Sequence, residues 1–387
     1  MILQRPSHLY GAAFHGDNEV MPRLDATFVR AVALAALSGC SSSDGSSAAT
    51  TDGGAGEDSS SRGTSDGSAP DGSVLGGDGG TLGDAQGGGG DAQPGGDGGV
   101  AGTRGFPTAA PWVSFYGPAS GTDLVKTAST FRIINLDADP DAGGFTDAQL
   151  TALKAGGQNR VISYMNVGSC EDFRSYWSAD PAGHKSCVNS GALTTPYGGY
   201  PNEKWANLGI AAYRDLIVNY VAVRLAARGI DGFFLDNLEV VEHGAGAAEG
   251  PCDAACAQGG LDLVWELRQR FPGLLIVMQN ATSDVTRLGT THGVPYPSVL
   301  DGISHEEVFS NGGDALAQTE LAAWRKMALT VNGRPFWLAS EDYVGACSTA
   351  AKPQQLTIAA QAAAAGLSSY VTDASAKQQA PCFWAAL

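Results

Sequence analysis

The sequence predicts an α/β fold, a (β/α)8 TIM barrel, for residues 105–387. Two observations support this prediction. Short apolar segments alternate with longer helical patterns, and almost every apolar segment ends in a polar side chain. The segment Gly232–Asn237 shows both features. Three consecutive apolar residues form the continuous run of a strand that is buried on both faces of a parallel sheet, and Asp236 and Asn237 follow at once.

Eight alternating units can be placed in order along this region. The strand-like segments are Trp112–Gly117, Arg132–Asp137, Arg160–Val167, Gly232–Asn237, Leu274–Asn280, Gly302–Phe309, Pro335–Glu341 and Leu367–Asp373. The longer helical patterns between them are Asp147–Ala155, Ala211–Ala227, Leu261–Arg270, Ala315–Leu329 and Pro353–Ala365. The connections after the first and fifth strands have room only for short helices, around Thr122–Ala128 and Ser283–Leu288. Eight units in roughly 280 residues fit a barrel better than the alternative, a doubly wound open sheet.

Polar side chains collect at the ends of these strands, which form the active-site face in a β/α barrel. Two facing carboxylates are the minimum equipment for glycoside hydrolysis, and so many carboxylates around one rim would repel each other in a purely structural role. Each of them could instead cap a helix or close a loop. The candidates for catalysis or sugar binding are Asp137, Tyr164, Glu171, Asp236, Asn237, Asn280, Glu306, Glu307 and Glu341.

Residues 1–40 have the pattern of an extension and a lipoprotein signal peptide. From Met21, which is a candidate for the true start, basic residues precede the short apolar run 31–37, and small residues lead to Cys40. The run is too short to span a bilayer. We expect export and lipidation at Cys40. The protein would then be held at the outer membrane or cell surface, or released from it. An ordinary secretory signal with a chance cysteine is the alternative.

Residues 41–104 contain glycine, serine, aspartate, alanine and threonine with almost no large apolar side chain, which predicts a disordered linker. The formal net charge is −17 and is shared almost equally between the first 104 residues and the predicted barrel. An acidic protein is a poor nucleic-acid binder, and it suits a neutral or cationic substrate better. The acidity could also serve only to keep the protein soluble.

Cysteine usage agrees with export, because six of the seven cysteines remain once Cys40 is set aside. Their order suggests three disulfides between neighbours, although six cysteines allow 15 connectivities. The pairs would be Cys170–Cys187, Cys252–Cys256 and Cys347–Cys382. The short pair could instead begin a metal site, but no second cysteine or histidine cluster follows at suitable spacing. The chain also has no phosphate loop and no dinucleotide fingerprint, so we expect no metal and no cofactor.

Three segments together resemble glycoside hydrolase family 114, which includes endo-α-1,4-polygalactosaminidases. They are Tyr164–Arg174, Gly229–Asn237 and Ser304–Phe309. The resemblance implies a (β/α)8 barrel and two catalytic carboxylates, one after the fourth strand and one on the sixth. The matching positions here are Asp236 and Glu306. Where the family commonly has Asn-Glu-Glu-Cys-Phe, this chain has His-Glu-Glu-Val-Phe, and the carboxylate itself is kept.

The catalytic roles follow from position. We expect Asp236 to be easier to keep ionised and to act as nucleophile, with Glu306 as general acid and retention of configuration. Glu307 would face away, or would be the acid if the register is shifted by one residue. Tyr116, Tyr164 and Trp337 are candidate platforms for sugar stacking. The expected protein is a monomeric glycosidase that cleaves an α-linked, amino-sugar-containing polysaccharide. A tethered carbohydrate-binding lipoprotein and a glycosidase for another glycan are the alternatives.

Overall fold

The computed structural model describes residues 105–107, 110–327, 329–331, 334–374 and 377–386. The predicted signal peptide, the linker and Cys40 lie outside these residues. Among the described residues, no helix has the length and apolar character needed to cross a membrane.

Eight parallel strands form a nearly closed barrel, which confirms the predicted fold and excludes the doubly wound sheet. Their order in space is their order in the chain. Trp112 donates its indole N–H to the carbonyl of Ser368 at 3.2 Å, so the last strand lies against the first. The strands are β1 (Trp112–Ser114), β2 (Ile133–Leu136), β3 (Arg160–Asn166), β4 (Gly232–Asp236), β5 (Leu275–Gln279), β6 (Gly302–Glu306), β7 (Trp337–Val344) and β8 (Ser368–Asp373).

Helices connect the strands on the outside. They are α1 (Leu124–Thr130), α2 (Asp147–Leu153), α3 (Ala211–Leu216 and Ala222–Ala226, joined by the π-turn Ile217–Val221), α4 (Ala254–Arg270), α5 (Asp284–Arg287), α6 (Ala315–Lys326) and α7 (Lys352–Ala365). Helix α4 begins seven residues before the predicted start, because the Asp253 side chain caps it by accepting the Cys256 N–H. Its first turns contain Gly259, where a Cβ would lie 2.3 Å from the Leu208 carbonyl oxygen. This close packing requires glycine, and it hid the helical pattern in the sequence.

Shorter elements complete the fold. Short 3₁₀ turns occur at Ala119–Gly121, Ala155–Gly157, Leu238–Glu242, Tyr296–Val299, Ser310–Gly312, Thr349–Ala351 and Trp384–Ala386. Two small antiparallel ribbons pair Thr290–Thr291 with Val294–Pro295 and Thr330–Val331 with Arg334–Pro335.

An antiparallel sheet that the sequence analysis missed is inserted between β3 and α3. It consists of Ser169–Glu171, Leu193–Tyr197 and Tyr200–Ala206, and we call it the rim sheet. Its long hairpin turns at Gly198 and Gly199. A Gly-Gly pair between two tyrosines is a recognised hairpin signal, so this element was visible in the sequence. The rim sheet begins three residues after β3 ends, which places it beside the carboxyl ends of the strands.

Aromatic side chains close the opposite end of the barrel. Trp112 and Trp337, each the first residue of its strand, meet edge to face at 5.3 Å between ring centroids, and Phe106 stacks on Trp337 at 4.8 Å. Trp337 is therefore a packing residue at the amino end of β7, and the expectation that it forms a sugar platform was wrong.

The three predicted disulfides are confirmed: Cys170–Cys187, Cys252–Cys256 and Cys347–Cys382. The first ties the rim sheet to the loop that follows its first strand. The third joins the segment after β7 to the segment after β8. Because Cys252 and Cys256 are bonded to each other, the metal-site alternative for this pair was wrong.

Candidate active site

Asp236 is the last residue of β4, and its surroundings are tightly built. At Gly168, just after β3, an added Cβ would lie 1.7 Å from the Asn237 carbonyl oxygen, so only glycine allows the two chain segments to approach this closely. The Asn237 side chain donates to the Ser169 hydroxyl at 2.7 Å and to a Glu203 carboxylate oxygen at 3.0 Å. Asn237 thus ties the end of β4 to the rim sheet, beside Asp236.

Glu306 is the last residue of β6, and hydrogen bonds hold both of its carboxylate oxygens. The Tyr343 hydroxyl on β7 donates to Oε1, and the Asn280 amide donates to Oε2 at 2.9 Å. The Asn280 side-chain oxygen Oδ1 in turn accepts the Glu306 backbone N–H at 3.0 Å. The Asn280 side chain therefore holds both the carboxylate and the backbone of Glu306.

Three of these rim residues have left-handed backbone conformations. Asn237, Asn280 and Glu307 follow the ends of β4, β5 and β6 directly, with φ angles of 60°, 63° and 54°. Such conformations are uncommon in residues other than glycine and concentrate at functional sites. Because β6 ends at Glu306, Glu307 leaves the strand, and its carboxylate accepts from the Asn311 amide at 3.1 Å. Glu307 is half-buried and stands outside the buried carboxylates described next.

A group of buried or half-buried carboxylates surrounds Asp236. The acidic cluster, as we name it, contains Asp236, Glu203, Glu239, Glu306 and Glu341. Burial first, and then the charges of Glu239, Glu306 and Glu203, raise the pKa of Asp236 well above its usual range. Burial and these neighbours therefore disfavour the charge of Asp236, and the expectation that Asp236 is easier to keep ionised than Glu306 stays a prediction.

Glu203 was not among the residues predicted from the sequence. It lies on the second strand of the rim-sheet hairpin and is buried. The Asn166 amide donates to it at 2.7 Å, and the Ser169 hydroxyl makes a second, shorter hydrogen bond. Burial nevertheless raises its pKa. Glu203 could have been found only by placing the Gly198-Gly199 hairpin on the rim.

Glu341 lies inside β7, three residues before the strand ends, rather than at its end as predicted. It is fully buried and is the register neighbour of Glu306. Neither of its carboxylate oxygens has a hydrogen-bond partner among the described residues. Burial and the charge of Glu306 raise the pKa of Glu341 well above its usual range, while the nearby Ser114 hydroxyl opposes this shift.

Arg174 gathers a second acidic group next to the first. Its guanidinium contacts Glu171 at 2.7 Å and Asp137 at 3.0 Å, and all three side chains are buried. Burial raises the pKa of Glu171 to about 8, and the charge of Arg174 limits this rise. Tyr164 is also buried, and its ring lies beneath Arg174 and edge to face with Tyr116 at 5.1 Å. Four predicted residues thus lie close to the acidic cluster: Asp137, Tyr116, Tyr164 and Glu171. Of these, Asp137 and Glu171 are already paired with Arg174.

The described residues contain one group with the atom types of a metal site, Cys347, Asp373 and Cys382. Both of its sulfur atoms belong to a disulfide. The group therefore lacks the thiolates that bind a metal ion.

Comparison with known proteins agrees with this geometry. Residues 104–291 match the model of glycoside-hydrolase family GH114. The part of the chain that matches GH114 contains β1 to β5, including Asp236, and ends before Glu306.

Two solved structures share the barrel fold. The glycoside hydrolase domain of PelA from Pseudomonas aeruginosa matches with a TM-score of 0.50 and 18% identity, over 69% of this chain and 96% of that domain. A glutamate-to-alanine variant of the same domain matches with a TM-score of 0.50 and 17% identity, over the same shares. No curated protein matches this chain in sequence.

Proposed function

We propose that this protein is a polygalactosaminidase-like glycosidase that cleaves an α-linked, amino-sugar-containing polysaccharide, with Asp236 and Glu306 as its catalytic carboxylates. One observation carries the proposal. Asp236 and Glu306 end two strands of the same barrel, are only 6% and 5% exposed, and interact electrostatically with each other. The GH114 match supports the reaction class, and the two side chains are the minimum set for glycoside hydrolysis.

In the proposed mechanism, Asp236 attacks the anomeric carbon while Glu306 protonates the departing glycosidic oxygen. Glu306 then removes a proton from water, and that water hydrolyses the glycosyl ester with net retention. Asn280 and Tyr343 hold the Glu306 carboxyl group in place. Asn237 fixes the end of β4 through its hydrogen bond to Ser169.

The acidic cluster supports a cationic substrate. Its carboxylates oppose the ionisation of Asp236 in the free protein. A protonated amino sugar would reverse this effect, because an opposite charge within about 4–6 Å favours the carboxylate form. Binding of the amino sugar would then help to produce the ionised nucleophile. Arg174 is paired with Asp137 and Glu171, and its charge also lowers the pKa of Glu203 against the effect of burial.

The substrate class can be tested with one polymer in two chemical forms. The full-length protein is incubated with an α-1,4-linked galactosamine polymer that is either partly de-N-acetylated or fully N-acetylated, and the products are separated by mass. We expect shortened oligosaccharides from the de-N-acetylated form and little cleavage of the neutral form. Binding to both forms without any cleavage would contradict the proposal and would favour the carbohydrate-binding lipoprotein.

We also propose that the protein is exported and anchored through a lipid on Cys40. The sequence around this cysteine supports the proposal. The test is fractionation of cells that express a Cys40→Ser variant. The variant should accumulate unprocessed or leave the membrane fraction, and an unchanged distribution would overturn this assignment.

A further inference from the structure

Residues 377–382, after β8, lie across the active-site face of the barrel. The backbone carbonyl of Gln378 accepts the Tyr116 N–H at 2.7 Å, just after β1. Farther along, Cys382 is bonded to Cys347 and donates its N–H to the Tyr370 hydroxyl at 3.1 Å. The segment therefore contacts residues of β8 and residues that follow β1 and β7, on both sides of the point where the last strand meets the first.

Gln378 inserts its side chain from this segment into the barrel. The residue is 3% exposed and has a left-handed φ of 45°. Its amide N–H donates to the Tyr343 hydroxyl oxygen at 3.2 Å, and its amide oxygen accepts the Ser114 hydroxyl at 2.9 Å. Gln378 is thus in direct contact with the tyrosine that contacts Glu306.

The hydrogen bonds connect Asn135 through Ser114 and Gln378 to Tyr343. The Asn135 amide donates to the Ser114 oxygen at 3.1 Å, and the Ser114 hydroxyl has two acceptors, Gln378 Oε1 at 2.9 Å and the Tyr116 hydroxyl at 3.3 Å, of which Gln378 is the nearer. With its oxygen toward Ser114, Gln378 presents its N–H to Tyr343. Because the Tyr343 oxygen accepts there, the one proton of Tyr343 points at Glu306 Oε1.

We propose that Gln378 is a positioning residue that directs the Tyr343 hydroxyl proton onto Glu306. The inference rests on the proposed function, in which Glu306 is the acid and base. A donor to Glu306 stabilises its carboxylate form within a site crowded with acids. The titratable groups that face Glu306 are Asp236 on β4, Glu341 and Tyr343 on β7, Tyr116 after β1 and Tyr197 on the rim sheet.

Two substitutions of Gln378 remove the N–H that orients the Tyr343 hydroxyl, in different ways. Gln378→Met keeps the length of the side chain but supplies no donor. Gln378→Glu keeps the shape but accepts from Tyr343, which turns its proton away from Glu306. With the de-N-acetylated polymer as probe, we expect kcat to fall about tenfold or more in both variants, since hydrogen bonds to charged groups are the stronger ones. The alkaline limb of the kcat/KM profile should move to higher pH, because the Glu306 carboxylate loses a donor.

Two controls separate positioning from a general structural effect. Gln379→Glu adds the same charge one residue later on an exposed side chain and should keep the wild-type profile. If Gln378 acts through Tyr343, then Gln378→Met should have little further effect in a Tyr343→Phe background. An unchanged pH profile in Gln378→Met, or additive losses in the double variant, would overturn the inference.

A second readout does not need turnover. The carboxyl carbon of Glu306 can be titrated by ¹³C NMR in the full-length protein and assigned by its loss in Glu306→Gln. Its midpoint should be higher in Gln378→Met than in the wild type. If the wild type cleaves no amino-sugar polymer but this midpoint moves, the proposed function fails and the positioning contact stands. An unmoved midpoint contradicts the positioning contact.

Discussion

The two ends of the barrel are built from the same eight strands but use opposite chemistry. At the amino ends, Phe106, Trp112 and Trp337 pack ring against ring and leave almost no surface exposed. At the carboxyl ends, burial and the charges of neighbouring carboxylates raise the pKa values of Asp236 and Glu341 well above their usual range. The first end stabilises the fold, whereas the second holds charges in an environment that disfavours them.

This difference shows that the acidic cluster is maintained against a cost in stability. Burying a polar group without a partner is unfavourable, and neither carboxylate oxygen of Glu341 has a hydrogen-bond partner among the residues that the structure describes. The surrounding aromatic and disulfide contacts must offset that cost. Substitutions at the base should therefore lower stability, and substitutions in the acidic cluster should lower activity while stability is unchanged or increased.

The largest expected effect on stability comes from the aromatic base. Trp112 is 1% exposed and contacts Trp337, Phe234 and Tyr370. Trp112→Ala should lower the free energy of unfolding by about 3–5 kcal/mol, as for other buried large-to-small changes. Chemical denaturation measures this value. Trp112→Phe is the matched control, and a similar loss in both variants would show that the contact is not one of packing.

The stabilisation that a disulfide provides should increase with the length of chain that it closes. Cys347–Cys382 spans 35 residues, and Cys252–Cys256 spans four. Replacing both cysteines of a pair by serine should cost about 4 kcal/mol for the long loop and about 2 kcal/mol for the short one. Thermal melting of the two double variants gives the comparison. An equal loss would contradict the loop-closure argument.

A smaller, pH-dependent effect is expected in the acidic cluster. The folded chain holds the proton of Glu341 more tightly than the unfolded chain, because burial raises its pKa. Stability from this group is therefore full below the usual glutamate pKa of about 4.3 and falls as the pH rises above it.

Glu341→Gln removes this dependence. The melting temperature of Glu341→Gln minus that of the wild type should be about 2–4 °C larger at about pH 8 than at about pH 4. Asp172→Asn changes an exposed carboxylate and serves as the control. A Glu341→Gln difference that is the same at both pH values would show that the buried carboxylate does not cost stability.

The parts of the fold that repeat could be predicted from the sequence. Each barrel strand is a local apolar run, and each connecting helix is a local periodic pattern, so the eight units and the carboxylates at their ends were visible. Asp236, Glu306, Asn280 and Tyr164 were placed correctly at or near the rim. The three disulfide pairs were also correct, because each joins cysteines that are neighbours in the sequence.

The parts that depend on distant contacts could not be predicted. Arg174, in a loop after β3, pairs with Asp137, which lies 37 residues earlier in the chain, and no local pattern indicates that contact. Gln378 is an isolated glutamine after the last strand, and it reaches Tyr343 only because the terminal segment folds back. The raised pKa of Asp236 results first from its burial and then from carboxylates on three other elements, and the sequence around Asp236 indicates neither.

The most direct test of the account compares Asp236→Asn and Glu306→Gln with the wild type on the de-N-acetylated polymer. Melting temperatures are measured on the same samples. Both variants keep the shape of the side chain and remove its ability to act as nucleophile or acid. We predict a loss of turnover of at least about 10³-fold for Asp236→Asn, with a melting temperature equal to or above that of the wild type. Wild-type turnover in either variant would contradict the assignment of these two carboxylates as the catalytic pair.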